Sequence, residues 1–292
     1  MEAKKRKIVD VHAHADWGGH DLEKSLKNMD KYGIDKAWML ACEIPFDENN
    51  PEENTAAMLG HNSVLPFAMA LEYAKQAPDR FILGYAPDPR NPASIDYLSD
   101  AISIYNVKTY GEWKFRMLFD NPDSIRMFKF CGKKNLPVTL HLQDDLEDLG
   151  VTYPRSSYWY GGGIDNLERT LQLCEETIFI GHAMTFWSHI SNDERAYTMR
   201  YPKGDVTPGG RLPELLRKYP NIHCDMSAGS ALYALQRDLS FTKEFFDEFQ
   251  DRLLFGRDCF SNGLQKFINS LGLSDQILDK VYAGNADKLI GL

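Results

Sequence analysis

The chain has 292 residues, 43 % hydrophobic and 26 % charged, the balance of a soluble globular protein with a substantial core. Its net charge of −9 argues against a general nucleic-acid binder, which draws its affinity from a basic surface. No run approaches the ~20 apolar residues of a membrane span. The basic start, Met1 to Lys7, leads into a strand pattern without an apolar signal region, so a cytoplasmic location is expected.

Short apolar runs alternate with helical periodicity, the pattern of βα units around a parallel sheet. Strands are expected at Ile8–Ala15, Lys36–Cys42, Phe81–Tyr85, Ile104–Trp113, Leu136–Leu142, Thr177–Ala183, Asn221–Ser227 and Leu253–Cys259. Eight strands close a (β/α)8 TIM barrel, and the absence of a linker or repeat favours a single domain over residues 1–292. Asn121-Pro122 reads as an N-cap with proline at the first helical position, opening a helix to Lys134. Further helices are expected over Asp165–Glu176, Leu212–Tyr219 and Thr242–Gln250. Long insertions follow strands two (43–58), five (143–164) and six (184–210), all at the face where barrel active sites are built. The second carries Tyr153, Arg155, Tyr158, Trp159 and Tyr160, an aromatic loop compatible with a homo-oligomer contact. Cys42, Cys131, Cys174, Cys224 and Cys259 form no CxxC pair, which disfavours both a thiolate zinc site and a disulfide framework.

The chemistry begins at Val9-Asp-Val-His12-Ala-His14. On a regular strand side chains alternate, so His12 and His14 share a face that Val9, Val11 and Ala13 do not. Two imidazoles so placed can chelate one divalent ion. Three more apolar runs end in a ligand type: Pro137 to His141, Ile178 to His182 and Leu253 to Asp258. Imidazole nitrogens with a carboxylate oxygen suit Zn2+, and the same donors accept Mn2+, Fe2+ or Co2+.

These segments, together with the closing Gly284-Asn-Ala-Asp-Lys-Leu-Ile-Gly-Leu292, resemble the amidohydrolase superfamily, in particular its amidohydrolase-2 branch, over nearly the whole chain. The resemblance implies a (β/α)8 barrel, metal ligands His12, His14, His141 and Asp258, and a catalytic role for His182. Glu112 follows Gly111 much as a bridging glutamate does in the TatD-like deoxyribonuclease relatives. It is either a metal ligand shared by two ions or the partner of Lys114 or Arg116, and one ion is favoured with two possible. Asp225 and Ser227 are expected to orient an imidazole, to touch substrate or to close a turn. His20, His61, His189 and His223 are read as surface or core residues, and Arg116, Arg155 and Arg257 as carboxylate clamps.

The expected activity is hydrolysis of a carboxylic amide, lactone or ester-like bond in a small, possibly carboxylated molecule, with Asp258 and His182 as the catalytic pair. The alternative on the same site is non-oxidative decarboxylation of an aryl or unsaturated acid. A catalytically silent, metal-stabilised scaffold is the third reading.

Overall fold

The structure is a computed structural model that describes residues 6–45, 48, 65–144 and 159–292. Its strands are β1 (Val9–Ala13), β2 (Lys36–Met39), β3 (Phe81–Leu83), β4 (Tyr110–Trp113), β5 (Val138–His141), β6 (Phe179–His182), β7 (Ile222–Asp225) and β8 (Leu253–Leu254). Strands β1 to β3 form one ladder and β4 to β8 another, with every pair parallel. Backbone bonds join the two ladders. Lys108 N–H donates to Leu83 O at 2.9 Å and Tyr85 N–H to Thr109 O at 3.1 Å, while Val11 N–H donates to Phe255 O and Asp258 N–H to His12 O, both at 3.0 Å. The ring is therefore closed, as a (β/α)8 barrel requires.

Alternation sorts the side chains of each strand into two sets. Ala37, Met39, Phe81, Leu83, Val138, Leu140, Phe179, Ile222 and Cys224 join the large core that includes the outer helices. Val9, Val11, Trp38, Leu40, Ile82, Ile180 and Leu254 pack together with Ala283, Ala286 and Ile290 from the C-terminal end. Strands that are not neighbours meet only across a barrel's interior, so this second cluster is an apolar floor beneath the site. Val9 and Val11 thus face inward, which corrects the expectation that they lie opposite the histidines. The reason is a register irregularity between Asp10 and Ala13, which breaks the regular alternation. It leaves Asp10 bonded to Arg257, whose guanidinium also reaches Asn28, in the wall while His12 and His14 reach the interior.

Local signals account for most helix ends. Asn121 accepts from Asp123 N–H before Pro122–Lys133, and Asp238 caps Leu239–Phe249, three residues earlier than expected. The fourth expected strand is shorter than its apolar run, because Ile104 and Tyr105 end the helix Ser94–Tyr105 and Asn106 closes it in a left-handed conformation. The five cysteines form no disulfide with one another, and only Cys259 is exposed. Among the described residues no helix is long and apolar enough to cross a membrane.

The seam between β8 and β1 is held by a buried ion pair. Arg257 Nε lies 2.6 Å from Asp10 Oδ2, with the side chains 4 % and 1 % exposed. Asp10 Oδ1 also accepts the N–H groups of His12 and Arg257, and the guanidinium donates to Asn28 Oδ1 at 2.7 Å. Removing one partner of such a pair leaves a buried charge uncompensated, at a cost of about 3–5 kcal/mol. Arg257→Ala should lower unfolding stability in urea by about that amount; a loss below ~1 kcal/mol would show that the pair does not hold the seam.

Candidate metal centre

At the carboxyl ends of the strands, four imidazoles surround two carboxylates. His12 comes from β1 and His14 directly follows that strand, Glu112 comes from β4, His141 from β5, His182 from β6, and Asp258 lies four residues past β8. Pairing of β5 with β6 sets His141 directly beside His182. Glu112 is brought inward by a second register irregularity, between Tyr110 and Trp113, and is 2 % exposed.

Each histidine has one ring nitrogen occupied on its outer side. His12 Nδ1 lies 2.6 Å from Asp225 Oδ2, His14 Nδ1 3.0 Å from Leu40 O, His182 Nδ1 2.9 Å from Ser227 Oγ and His141 Nε2 3.0 Å from Gln143 Oε1. An acceptor on the outer nitrogen draws the ring proton there and leaves a lone pair on the inner one. The inner atoms converge. His12 Nε2 is 3.1 Å from His14 Nε2, and both face Asp258 Oδ1, at 3.8 and 3.4 Å. Glu112 Oε1 is 3.7 Å from His12 Nε2 and His182 Nε2 and 2.7 Å from His141 Nδ1, and Oε2 is 3.7 Å from His14 Nε2.

Lone pairs turned toward one another at these separations repel unless a cation lies among them. Ligand atoms around a tetrahedral Zn2+ at ~2.0–2.1 Å are roughly 3.3–3.4 Å apart, comparable to the triangle of His12, His14 and Asp258. Asp258 Oδ1 supplies the independent test: it is buried and has no hydrogen-bond partner among the described residues. Such an atom is costly unless an ion or a water satisfies it. Two groups of three buried residues meet at Glu112, one with His12 and His14, the other with His141 and His182. The donor set therefore fits a divalent ion, with Glu112 shared between two adjoining groups.

The electrostatics agree. Burial alone lowers the pKa of His12, but Asp258, Asp225 and Glu112 outweigh it and raise the value to about 10. Burial, reinforced by His12, pushes His182 down to about 4. Burial opposes ionisation of Glu112 and Asp258 as well, yet the imidazoles hold both carboxyls below their usual range: His141 and His12 for the first, His12 and His14 for the second.

The other expectations fall around this centre. Asp225 and Ser227 orient imidazoles and also close a turn, the Ser227 N–H donating to Asp225 Oδ1 at 2.8 Å. Arg257 is committed to Asp10, and Arg116 donates to Glu48 through its backbone and guanidinium, so neither is a clamp in the centre. Glu112 pairs with His141 rather than with Arg116. His20 is partly exposed and stacks on Phe260, whereas His189 and His223 are buried. Arg155, Tyr153, Tyr158 and His61 lie outside the described residues. Gln143, the carbonyl of Leu40 and the Asp10–Arg257 pair were not foreseen. Of these, only the adjacency of Arg257 to Asp258 left a trace in the sequence.

The sign of the pH dependence follows from His12. Its pKa rises from an ordinary 6.5 to about 10 in the folded, metal-free chain, so the folded state binds more protons between those values. The stabilisation is complete below pH 6.5 and is lost as pH rises through about 10. Thermal melts in chelator should fall over this window, and saturating divalent metal should flatten the decline. A metal-free melt that is constant from pH 6.5 to 10 would contradict the assignment.

No family model matches the chain, and no curated protein sequence does. Solved structures do match along its length. An uncharacterised TIM-barrel protein from Bordetella bronchiseptica has a TM-score of 0.62 at 13 % identity, covering 98 % of each chain. A dihydroxybenzoic acid decarboxylase from Polaromonas, with bound manganese and the inhibitor 2-nitroresorcinol, scores 0.60 at 15 % identity over 98 % of this chain and 97 % of that one. A probable 2-pyrone-4,6-dicarboxylic acid hydrolase from Acinetobacter baumannii, with citric acid bound, scores 0.59 at 12 % identity over 98 % and 100 %. The chain shares its TIM-barrel fold with structures described as decarboxylases and as hydrolases.

Proposed function

We propose that this chain is a metal-dependent hydrolase of the amidohydrolase-2 type, acting on a carboxylic amide, lactone or ester-like bond of a small molecule. The observation that carries the reading is the inward convergence of four imidazoles on Glu112, two of them also facing Asp258 Oδ1, which has no hydrogen-bond partner among the described residues. His12, His14 and Asp258 with Glu112 would hold one divalent ion, and His141 and His182 with Glu112 would hold a second. Zn2+ suits these nitrogen and oxygen donors, and the manganese in the Polaromonas decarboxylase suits the same set. An ion held there would supply Lewis acidity, making water a stronger acid and a carbonyl a better electrophile.

The residues themselves handle the proton. Asp258 would hold the ion with Oδ1, and its Oδ2 lies 3.8 Å from His182 Nε2. Held ionised by its imidazole neighbours, it takes a proton from water and returns it to the leaving group. Burial of His12, Glu112 and His182 keeps bulk water from competing with these contacts. Trp17 and Tyr160 stand edge-on to His14 and His141, with centroids 5.7 and 5.4 Å apart, and give the mouth apolar walls.

Hydrolysis is preferred to decarboxylation because Glu112 and Asp258 already bring two negative charges to the centre, and Arg257 and Arg116 are tied to Asp10 and Glu48. A decarboxylase must add the carboxylate of its substrate to that charge. The neighbours described as decarboxylases keep this second reading in the assay.

Metal-loaded protein assayed against lactone, amide and hydroxybenzoate panels, with acid release and CO2 recorded separately, should give acid without CO2. Asp258→Asn should lower turnover by about 10²–10⁴-fold, the range for a lost acid–base group. Carbon dioxide from an aryl acid, with no acid released from esters or amides, would replace hydrolysis by decarboxylation. Metal titration should give two equivalents in the wild type and at most one in Glu112→Gln; equal stoichiometry in both removes Glu112 from the ligand set.

A further inference from the structure

Asp225 sits at the end of β7 and is fully buried, and it contacts one histidine and the support of another at once. Its Oδ2 accepts from His12 Nδ1 at 2.6 Å and from the Ser227 hydroxyl at 2.9 Å. The Ser227 oxygen lies 2.9 Å from His182 Nδ1, and Asp225 Oδ1 accepts the Ser227 N–H at 2.8 Å. The hydroxyl has a single proton. If it pointed at His182, its oxygen would face the Asp225 carboxylate lone pair to lone pair in a site without water access, a costly arrangement. The proton therefore goes to Asp225, and the Ser227 oxygen is left to accept from His182 Nδ1–H. Gly256 makes the packing feasible: a Cβ there would fall 2.4 Å from Asp225 Oδ1 and 3.0 Å from Ser227 Cβ.

We propose that Asp225 and Ser227 are positioning residues that form one relay, in which a single carboxylate on β7 fixes the ring proton of both His12 on β1 and His182 on β6 at Nδ1. The inner nitrogens of two histidines from opposite sides of the ring are thereby presented together. His182 then offers a lone pair to the centre rather than a donated proton, which revises the catalytic role that the family resemblance implied for it. The proposal rests on the reading of His12 and His182 as ion-holding residues.

Ser227→Ala, Asp225→Asn and the double variant separate a relay from two independent contacts. Zn2+ affinity, measured by competition with a chromophoric chelator, should weaken by about 10–100-fold in each single variant, the range for a lost outer support of a ligand. The double variant should be no weaker than Asp225→Asn within about twofold, because both changes cut the same chain. A second readout needs no metal: ¹⁵N NMR of the histidine rings at neutral pH should show His182 protonated at Nδ1 in the wild type and losing that preference in Ser227→Ala. Multiplicative losses in the double variant would overturn the relay. So would a Ser227→Ala protein with unchanged affinity and an unchanged His182 ring. If the wild type binds no Zn2+, the metal reading fails by itself, while the NMR arm still decides the relay. Should Asp225→Asn fail to fold, the affinity and the ring spectrum of Ser227→Ala decide it.

Discussion

Three carboxylates and four imidazoles buried at one end of a closed barrel cannot be stable as a collection of neutral or ionised groups facing one another. Glu112 and Asp258 each carry a desolvation cost that only a positive charge within a few ångströms offsets. In the metal-free chain a proton on His12 supplies part of that charge, which is why its affinity for the proton is so high. A divalent ion would supply more, and in the direction in which the inner nitrogens already point. The outer hydrogen bonds to Asp225, Leu40, Ser227 and Gln143 set this direction, because each engages the outer nitrogen and leaves the inner one as the place where a proton or an ion can bind.

The backbone departs from regularity where the centre needs it. At β1 and β4 the register shifts within a few residues, between Asp10 and Ala13 and between Tyr110 and Trp113. A regular β1 with Val9 and Val11 on the floor would turn His12 into the wall, since side chains alternate with a period of two. The irregularity allows an apolar floor and a polar centre to be built from the same strand. At β5 and β6 no such device is needed. Thr139 and Ile180 precede His141 and His182 by two residues on strands of regular register.

This contrast explains what could be read from the sequence. The eight strands, the barrel and the residues of the centre were legible, because apolar runs ending in His or Asp mark strands that finish at one face. The orientation of Val9 and Val11 was not, since a bulge leaves no mark in a Val-Asp-Val-His run. The extent of β4 was also blurred: Ile104 and Tyr105 continue an apolar run that their backbone assigns to the preceding helix. Pairwise roles were harder still. Asp225 and Ser227 were visible as a polar pair two residues apart, but which histidine each would face depends on how β1, β6 and β7 meet across the interior. Arg257 and Arg116 looked like clamps for a substrate because a guanidinium suits any carboxylate; the fold gives them Asp10 and Glu48 instead.

Asp258 ties these levels together. Its φ of 49° is uncommon for a residue with a side chain, and such a conformation persists only where its surroundings over-determine it. Three contacts do so here. Its own N–H donates to His12 O across the seam, the preceding Arg257 is fixed to Asp10 through both backbone and guanidinium, and Asn28 holds the guanidinium while donating to Phe260 O two residues beyond. The ion pair in the wall therefore brackets Asp258 from both sides along the chain. That Asp10 belongs to the same short segment as His12 and His14 means that the strand supplying two imidazoles also anchors the turn supplying the carboxylate opposite them. A shift of β1 would move both sides of the centre together, so their mutual distances depend on one seam rather than on two independent loops.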